Sequence, residues 1–277
     1  MINETSGGTR GTGVLVMLAA TLLLGAPGSA RAADIRFAVQ PILSEEQTYK
    51  AFQPLAEYIA NVTGKSVELK TAPDFTTYWY KMKQGKEYNL VLDAPFYTEY
   101  RMKNHGFVPL VKVPGLVSYS LVAHSSSGIM DVSELTGKKI ATLIPPAPGG
   151  LMLARLFPNP SRQPYLQPVN SSEEAMEMLL GGEVMAAMVP TPLVARAMAA
   201  GKDIATITTS PQTPHITLSA SSGMDEVTRE KIKKALLEAN KTPQGQEMLK
   251  KIGFPEGFEP APPQIYKGYS DYLKQTW

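Results

Sequence analysis

The 277-residue chain has no cysteine, only three histidines and two tryptophans, and nearly no net charge. The missing cysteine excludes disulfides, thiolate nucleophiles, cysteine metal sites and lipid attachment at a cysteine. The three histidines, His105, His124 and His215, lie far apart with no carboxylate at ligand spacing, so the sequence offers no metal site and no cofactor. Removing Glu4, Arg10 and Arg31 with the first 32 residues leaves 25 basic and 24 acidic side chains. Such a balance gives no reason to expect nucleic acid or an anionic membrane surface as partner. No Gly-x-Ser-x-Gly elbow, His-Glu-x-x-His pair or Gly-rich nucleotide loop occurs, and no catalytic constellation is expected. Glu45-Glu46 and Glu173-Glu174 are paired carboxylates, but both pairs sit at expected helix starts, where the positive end of the dipole explains them.

Long hydrophobic runs are scarce too, with one exception. Val14 to Ala26 (VLVMLAATLLLGA) follows a polar stretch containing Arg10 and ends towards Ala30-Arg31-Ala32. A spanning helix needs roughly 20 apolar residues, and this run is shorter and broken by Gly25, Pro27 and Gly28. Those proportions predict a secretory signal cleaved after Ala32, hence a mature chain outside the cytoplasm. That mature chain, 33–277, is long enough to bury a substantial core without disulfides.

Strand and helix signals alternate along it. Ile35–Val39 reads as a strand, and residues 44–63 as a helix capped by Ser44 and stopped by Gly64. Ser66–Thr71 is a strand, Asp74 caps a helix through Gln84, Tyr88–Asp93 is a strand and Ala94–Asn104 a helix. A second unit begins with the strand Tyr119–His124. It continues with strands Lys138–Ile144, Tyr165–Val169, Val184–Val189 and Ile204–Thr208, and with helices from near Leu151, over Ser171–Leu180 with Ser171 or Ser172 as its cap, and over Pro192–Ala200. His215–Ala220 returns as a strand, followed by helices near 225–239 and 243–251 and an amphipathic stretch from Gln264 to Leu273. The pattern predicts an α/β chain of two lobes, 33–117 with 213–277 and 118–212, each a mostly parallel sheet flanked by helices around a cleft. Hinge closure about a small-molecule ligand is the motion that goes with such a cleft.

Ser127-Gly128-Ile129, followed by Asp131 and by Leu135-Thr136-Gly137-Lys138-Lys139-Ile140-Ala141, is similar to a signature of one family. The family is that of periplasmic solute-binding proteins for phosphate, phosphite and phosphonate. Phe52-x-Pro54-Leu55-Ala56-x-Tyr58, Pro95-x-Tyr97 and Gly181-Gly182-Glu183-Val184 add looser matches over nearly the whole mature chain. The resemblance implies a type II periplasmic binding protein, a monomer that passes its ligand to a membrane permease or receptor. It also implies a Ser-Thr-Ser-Gly turn gripping an oxyanion, and here that turn falls on Ala147-Pro148-Gly149-Gly150. All three hydroxyl side chains are missing and Pro148 lacks a backbone donor. Asn170 stands where the family often has histidine, and Gly182-Glu183-Val184-Met185 departs from its Asp-containing element. A dianion would lose several charge-assisted partners together, so the expected ligand is uncharged, apolar or lipid-like rather than a phosphonate. The oxyanion remains the alternative.

Candidate cleft residues follow from the strand ends. They are Tyr78, Asp93, Tyr97, Tyr119, Pro148, Gly149, Gly150, Asn170 and Thr191, with the stretch Gln40–Ser44 also facing the cleft. Several keep a second reading: Tyr78 as core, Asp93 and Asn170 as helix caps. Met176, Met178, Met185, Met188 and Met198 read first as core filling, with soft-metal binding or a greasy pocket as the alternatives.

Overall fold

The computed structural model describes residues 33–275. The expected signal segment lies outside the described residues. Strands β1 (Ile35–Val39), β2 (Val67–Lys70), β3 (Leu90–Asp93) and β4 (Val108–Lys112) alternate with helices α1 (Glu45–Thr63), α2 (Phe75–Lys83) and α3 (Pro95–His105). Then come β5 (Leu116–Val117), β6 (Tyr119–His124), β7 (Lys139–Thr142), α4 (Pro148–Leu156), β8 (Tyr165–Pro168), α5 (Ser172–Leu180), β9 (Ala186–Pro190), α6 (Thr191–Ala199) and β10 (Ile204–Thr209). The chain finishes with β11 (Thr213–Pro214), β12 (Thr217–Ala220), α7 (Glu226–Leu237), α8 (Pro243–Lys251), β13 (Glu259–Pro260) and the 3-10 turns Pro263–Tyr266 and Tyr269–Gln275.

Two sheets result. The first has the order β13-β4-β12-β3-β1-β2 and the second β10-β6-β9-β7-β8. Each is parallel on one side, β2-β1-β3 and β8-β7-β9, and antiparallel on the other. The parallel halves come from βαβ crossovers through α1, α2, α4 and α5, as the alternation predicts. β6 and β12, the strands entered when the chain passes from one sheet to the other, run antiparallel to both of their neighbours. At the passage, β5 and β11 pair antiparallel, Thr213 opposite Val117 and Pro214 opposite Leu116.

Local chemistry sets the helix ends. Ser44 Oγ accepts from the Gln47 N–H while the Gln47 side chain accepts from the Ser44 N–H, closing a capping box on α1. Gly64 ends α1 at φ 70°, a left-handed backbone that a Cβ would strain. One face of α1 then buries Phe52, Leu55, Ala56 and Ile59 against the first sheet. Such side chains stabilise by about 1.5–3 kcal/mol each when fully buried.

The structure departs from the sequence reading in four places. β4 carries Pro109 and was not expected as a strand. Its register against β12 shifts between Leu218 and Ser219, an irregularity that accommodates the missing N–H. Helix α4 starts at Pro148, three residues before Leu151, because proline fits the first helical turn, where no intrahelical N–H bond is needed. Asp93 and Asn170 cap no helix: α3 begins after Ala94 with no side-chain cap, and α5 is capped by Ser171, as its position predicts, through the Glu174 N–H. The amphipathic stretch at the C-terminus is two 3-10 turns, not an α-helix. Glu99 on α3 accepts from the Gly268 and Ser270 N–H groups at 2.8 and 2.6 Å, and Arg155 on α4 stacks 4.0 Å over the Tyr272 ring. These contacts hold the C-terminal turns against both helices. No helix of the described residues is long and apolar enough to cross a membrane.

Candidate functional site

Between the carboxyl ends of the strands of the two sheets lies a cavity of about 250 Å³. The first sheet's side supplies Gln40, Ile42, Leu43, Ala94, Pro95 and Phe96, with His215, Ile216 and Phe254 from the returning chain. The second contributes Tyr119, Thr142, Leu143, Pro148, Gly149, Met188, Pro190 and Leu193. Apolar and aromatic groups dominate these walls. Arg196 and Glu173 also line the cavity, and both are exposed, which places their opposite charges towards water.

The start of α4 forms one wall. Gly149 permits it: an added Cβ would stand 3.3 Å from the Tyr119 ring and 3.5 Å from Thr142 Oγ1. Tyr119 is therefore laid against the helix start where a side chain would otherwise project. Burial raises the Tyr119 hydroxyl above its ordinary range, so it stays neutral and able to donate. Gly150 lies behind the wall, fully surrounded, and a Cβ there would meet the Leu143 carbonyl oxygen at 2.6 Å. Thr142 Oγ1 donates to the Leu143 and Met188 carbonyls, both at 3.3 Å.

His215 has Nδ1 accepting from the Ile216 N–H at 2.8 Å, which leaves the proton of the neutral ring on Nε2. Burial, and then the positive charge of Lys112, push its pKa down to about 4. Lys112 itself is held by Glu259 and by the Val113 and Gly115 carbonyls. At neutral pH His215 adds no charge to the cavity.

Of the residues read from the sequence, Tyr119, Pro148 and Gly149 share this cavity. Tyr78, Asp93 and Tyr97 do not line it; all are fully buried in the layer behind. Tyr78 donates to Asp93 Oδ2 at 2.6 Å, and Arg101 Nη2 pairs with Asp93 Oδ1 at 2.5 Å. Burial, then the Asp93 carboxylate, raise the Tyr78 hydroxyl well above its usual range. Burial opposes protonation of Arg101, but the Asp93 carboxylate outweighs it and raises its pKa. Tyr97 donates to the Pro146 carbonyl at 2.5 Å and stacks on Phe75, so it joins α3 to the loop before α4. Thr191 sits between the Ser118 and Ser120 hydroxyls, each 2.9 Å away, while its neighbours Pro190 and Pro192 line the cavity. Asn170 is exposed on a second depression of about 350 Å³ with Pro41, Asp74, Thr76 and Thr77.

Gln40, from the stretch that the sequence sets at the cleft, lines this cavity, whereas Thr142 and Phe254 were not among the candidates. Gln40 carried a signal, since it directly follows β1. Phe254 carried none, because it reaches the cavity from beyond α8 through tertiary packing alone.

Known proteins of the same shape bind small anions among other ligands. PhnD1 from Prochlorococcus marinus, solved in complex with methylphosphonate, superposes with a TM-score of 0.72 at 10% identity, covering 87% of this chain and 97% of that one. A Xanthomonas citri protein bound to ATP gives 0.70 at 15% identity, over 87% and 97%. A Pseudomonas aeruginosa binding component of an ABC phosphonate transporter gives 0.65 at 14% identity, over 82% and 81%. At these identities the likeness establishes the fold, the two-lobed type II periplasmic binding protein. No curated protein matches the chain in sequence. The family model described as "ABC transporter, phosphonate, periplasmic substrate-binding protein" matches residues 37–266. The chain belongs to that family of periplasmic substrate-binding proteins.

Proposed function

We propose that this periplasmic substrate-binding protein captures a small uncharged or amphipathic solute in the cavity between its sheets and delivers it to a membrane permease. One observation carries the reading: the α4 start is Ala147-Pro148-Gly149-Gly150 with the Tyr119 ring against it. A phosphonate dianion leaving water needs several charge-assisted hydrogen bonds. This wall offers no hydroxyl side chain at the helix start, and the lining cation Arg196 is exposed beside the anionic Glu173. Each missing charge-assisted bond costs about 1.5–3 kcal/mol, so three together outweigh the weak attraction of the Gly149 and Gly150 amides. Tyr119, Pro148 and Gly149 are the ligand contacts in this reading.

The second reading is an oxyanion ligand of the phosphonate type for an ABC importer. The family description and the methylphosphonate bound by the Prochlorococcus marinus relative favour it. Calorimetry with methylphosphonate and inorganic phosphate separates the two. We expect no saturable heat from either, and native mass spectrometry of protein purified from its host should show a neutral compound retained. Tight methylphosphonate binding would reverse the choice of ligand. A receptor partner in place of a permease uses the same cavity and is distinguished by which membrane protein the loaded form binds.

A further inference from the structure

Gln40 stands at the carboxyl end of β1 and is only 3% exposed. Its main chain is fully engaged, the N–H donating to the Leu92 carbonyl and the carbonyl accepting from the Ile42 N–H. Its side-chain Oε1 accepts from the Ala94 N–H at 2.9 Å. A backbone N–H can only donate, so the amide must present its oxygen there, and chemistry fixes which way the group is turned.

The NH₂ then points away from Ala94 with two donors. Among the described residues the fully buried side-chain atoms lacking a partner are Trp79 Nε1, Tyr88 Oη, Arg101 Nε and His105 Nε2. Gln40 Nε2 has no hydrogen bond among the described residues and is not in that group, so it opens on a space. The space that Gln40 lines is the 250 Å³ cavity. The Tyr119 hydroxyl, on the opposite sheet's side of the same cavity, likewise has no protein partner among the described residues.

Two uncharged donors are too few to offset the desolvation of a dianion, but they match a neutral oxygen. We infer that Gln40 determines specificity in this cavity, donating through Nε2 to a neutral oxygen acceptor whose apolar body packs on Phe96, Met188, Leu193 and Phe254. This inference rests on the proposal that the ligand is uncharged or amphipathic.

Three probes with one six-carbon body test it by calorimetry on the purified protein: hexanamide, hexanoate and hexylphosphonate. Hexanamide should bind most tightly. Gln40→Leu keeps the side-chain size and loses the donor, and should weaken hexanamide about 10-fold, the effect of one hydrogen bond. Gln40→Glu keeps an oxygen for the Ala94 N–H but turns an acceptor towards the probe, and should weaken it further. If hexylphosphonate binds most tightly, or none of the three binds, the uncharged-ligand reading itself fails. If hexanamide binds best and both variants bind it like the wild type, that reading stands and the role of Gln40 falls. Should either variant unfold, the wild-type Gln40 side-chain amide signals in NMR decide: they must move on hexanamide addition, and unmoved signals overturn the assignment.

Discussion

Two polar clusters lie on either side of the wall formed by the ends of β1 and β3. Behind it, Asp93, Arg101 and Tyr78 make a charged group with no exposure above 1%. Arg101 also donates to Met82 Sδ at 2.7 Å and lies over the Phe107 ring. On the cavity side, Gln40 and Tyr119 are neutral, and the α4 start has neither hydroxyl nor charge. The chain thus buries full charges in its scaffold, while the charged residues that line the cavity, Arg196 and Glu173, are exposed to water. The physical reason is permanence. A scaffold charge meets its partners once, on folding, and covalent neighbours hold them there. A charge on a cavity wall would be desolvated at every binding event and needs a ligand of opposite sign each time.

The largest expected effect breaks the buried side of that comparison. Asp93→Asn leaves the Arg101 guanidinium buried without its counter-charge, and should cost about 3–5 kcal/mol of stability in urea unfolding. Replacing both, Asp93→Leu with Arg101→Met, should recover much of that loss, because an apolar pair leaves no orphan charge. If Asp93→Asn unfolds at the wild-type midpoint, the cluster does not hold the scaffold.

A smaller effect separates the two glycines of the wall. Gly150→Ala drives a Cβ into the Leu143 carbonyl oxygen, backbone that cannot yield cheaply, and should destabilise by about 1–3 kcal/mol. Gly149→Ala meets the side of the Tyr119 ring at 3.3 Å and should cost less than Gly150→Ala, while displacing that ring. Thermal unfolding gives the first difference and Tyr119 fluorescence or NMR the second. Equal losses in the two variants would mean that the ring is not free to shift.

The smallest effect concerns pH. His215 titrates near 4 when folded and near its ordinary 6.5 when unfolded. Its folded pKa is the lower one, so between those values the unfolded chain binds more protons. The contribution of the neutral ring is complete above about pH 6.5 and is lost as the pH falls towards about 4. His215→Gln should therefore show a shallower fall in thermal midpoint than the wild type on going from about pH 7 to about pH 5. Parallel curves would show that the ring is not held neutral by burial beside Lys112.

Much of the frame was legible because its signals are local. Ser44 with Gln47, Gly64 and the spacing of Phe52, Leu55 and Ile59 define α1 within a few turns of chain. Pro109 hid β4, because a proline argues against a strand unless a neighbouring strand bends around it, and only β12 reveals that it does. The same limit governs the site. Tyr78, Asp93 and Tyr97 sit where a strand meets a helix, which marks cleft residues in open α/β sheets, yet here they turn into the core.

By itself the sequence determined the alternation of elements, the two-sheet plan, and the absence of hydroxyls at the start of α4, since each depends on residue type and short spacing. Only the tertiary structure decided which polar groups see the cavity. Gln40 stands at the cleft by its place after β1, but its NH₂ end faces the cavity because the Ala94 N–H, 54 residues away, donates to its oxygen. Asp93 does not face the cavity, because Arg101 and Tyr78 reach it first from two different helices. Such choices rest on partners distant in sequence and are fixed only when the chain has closed around them.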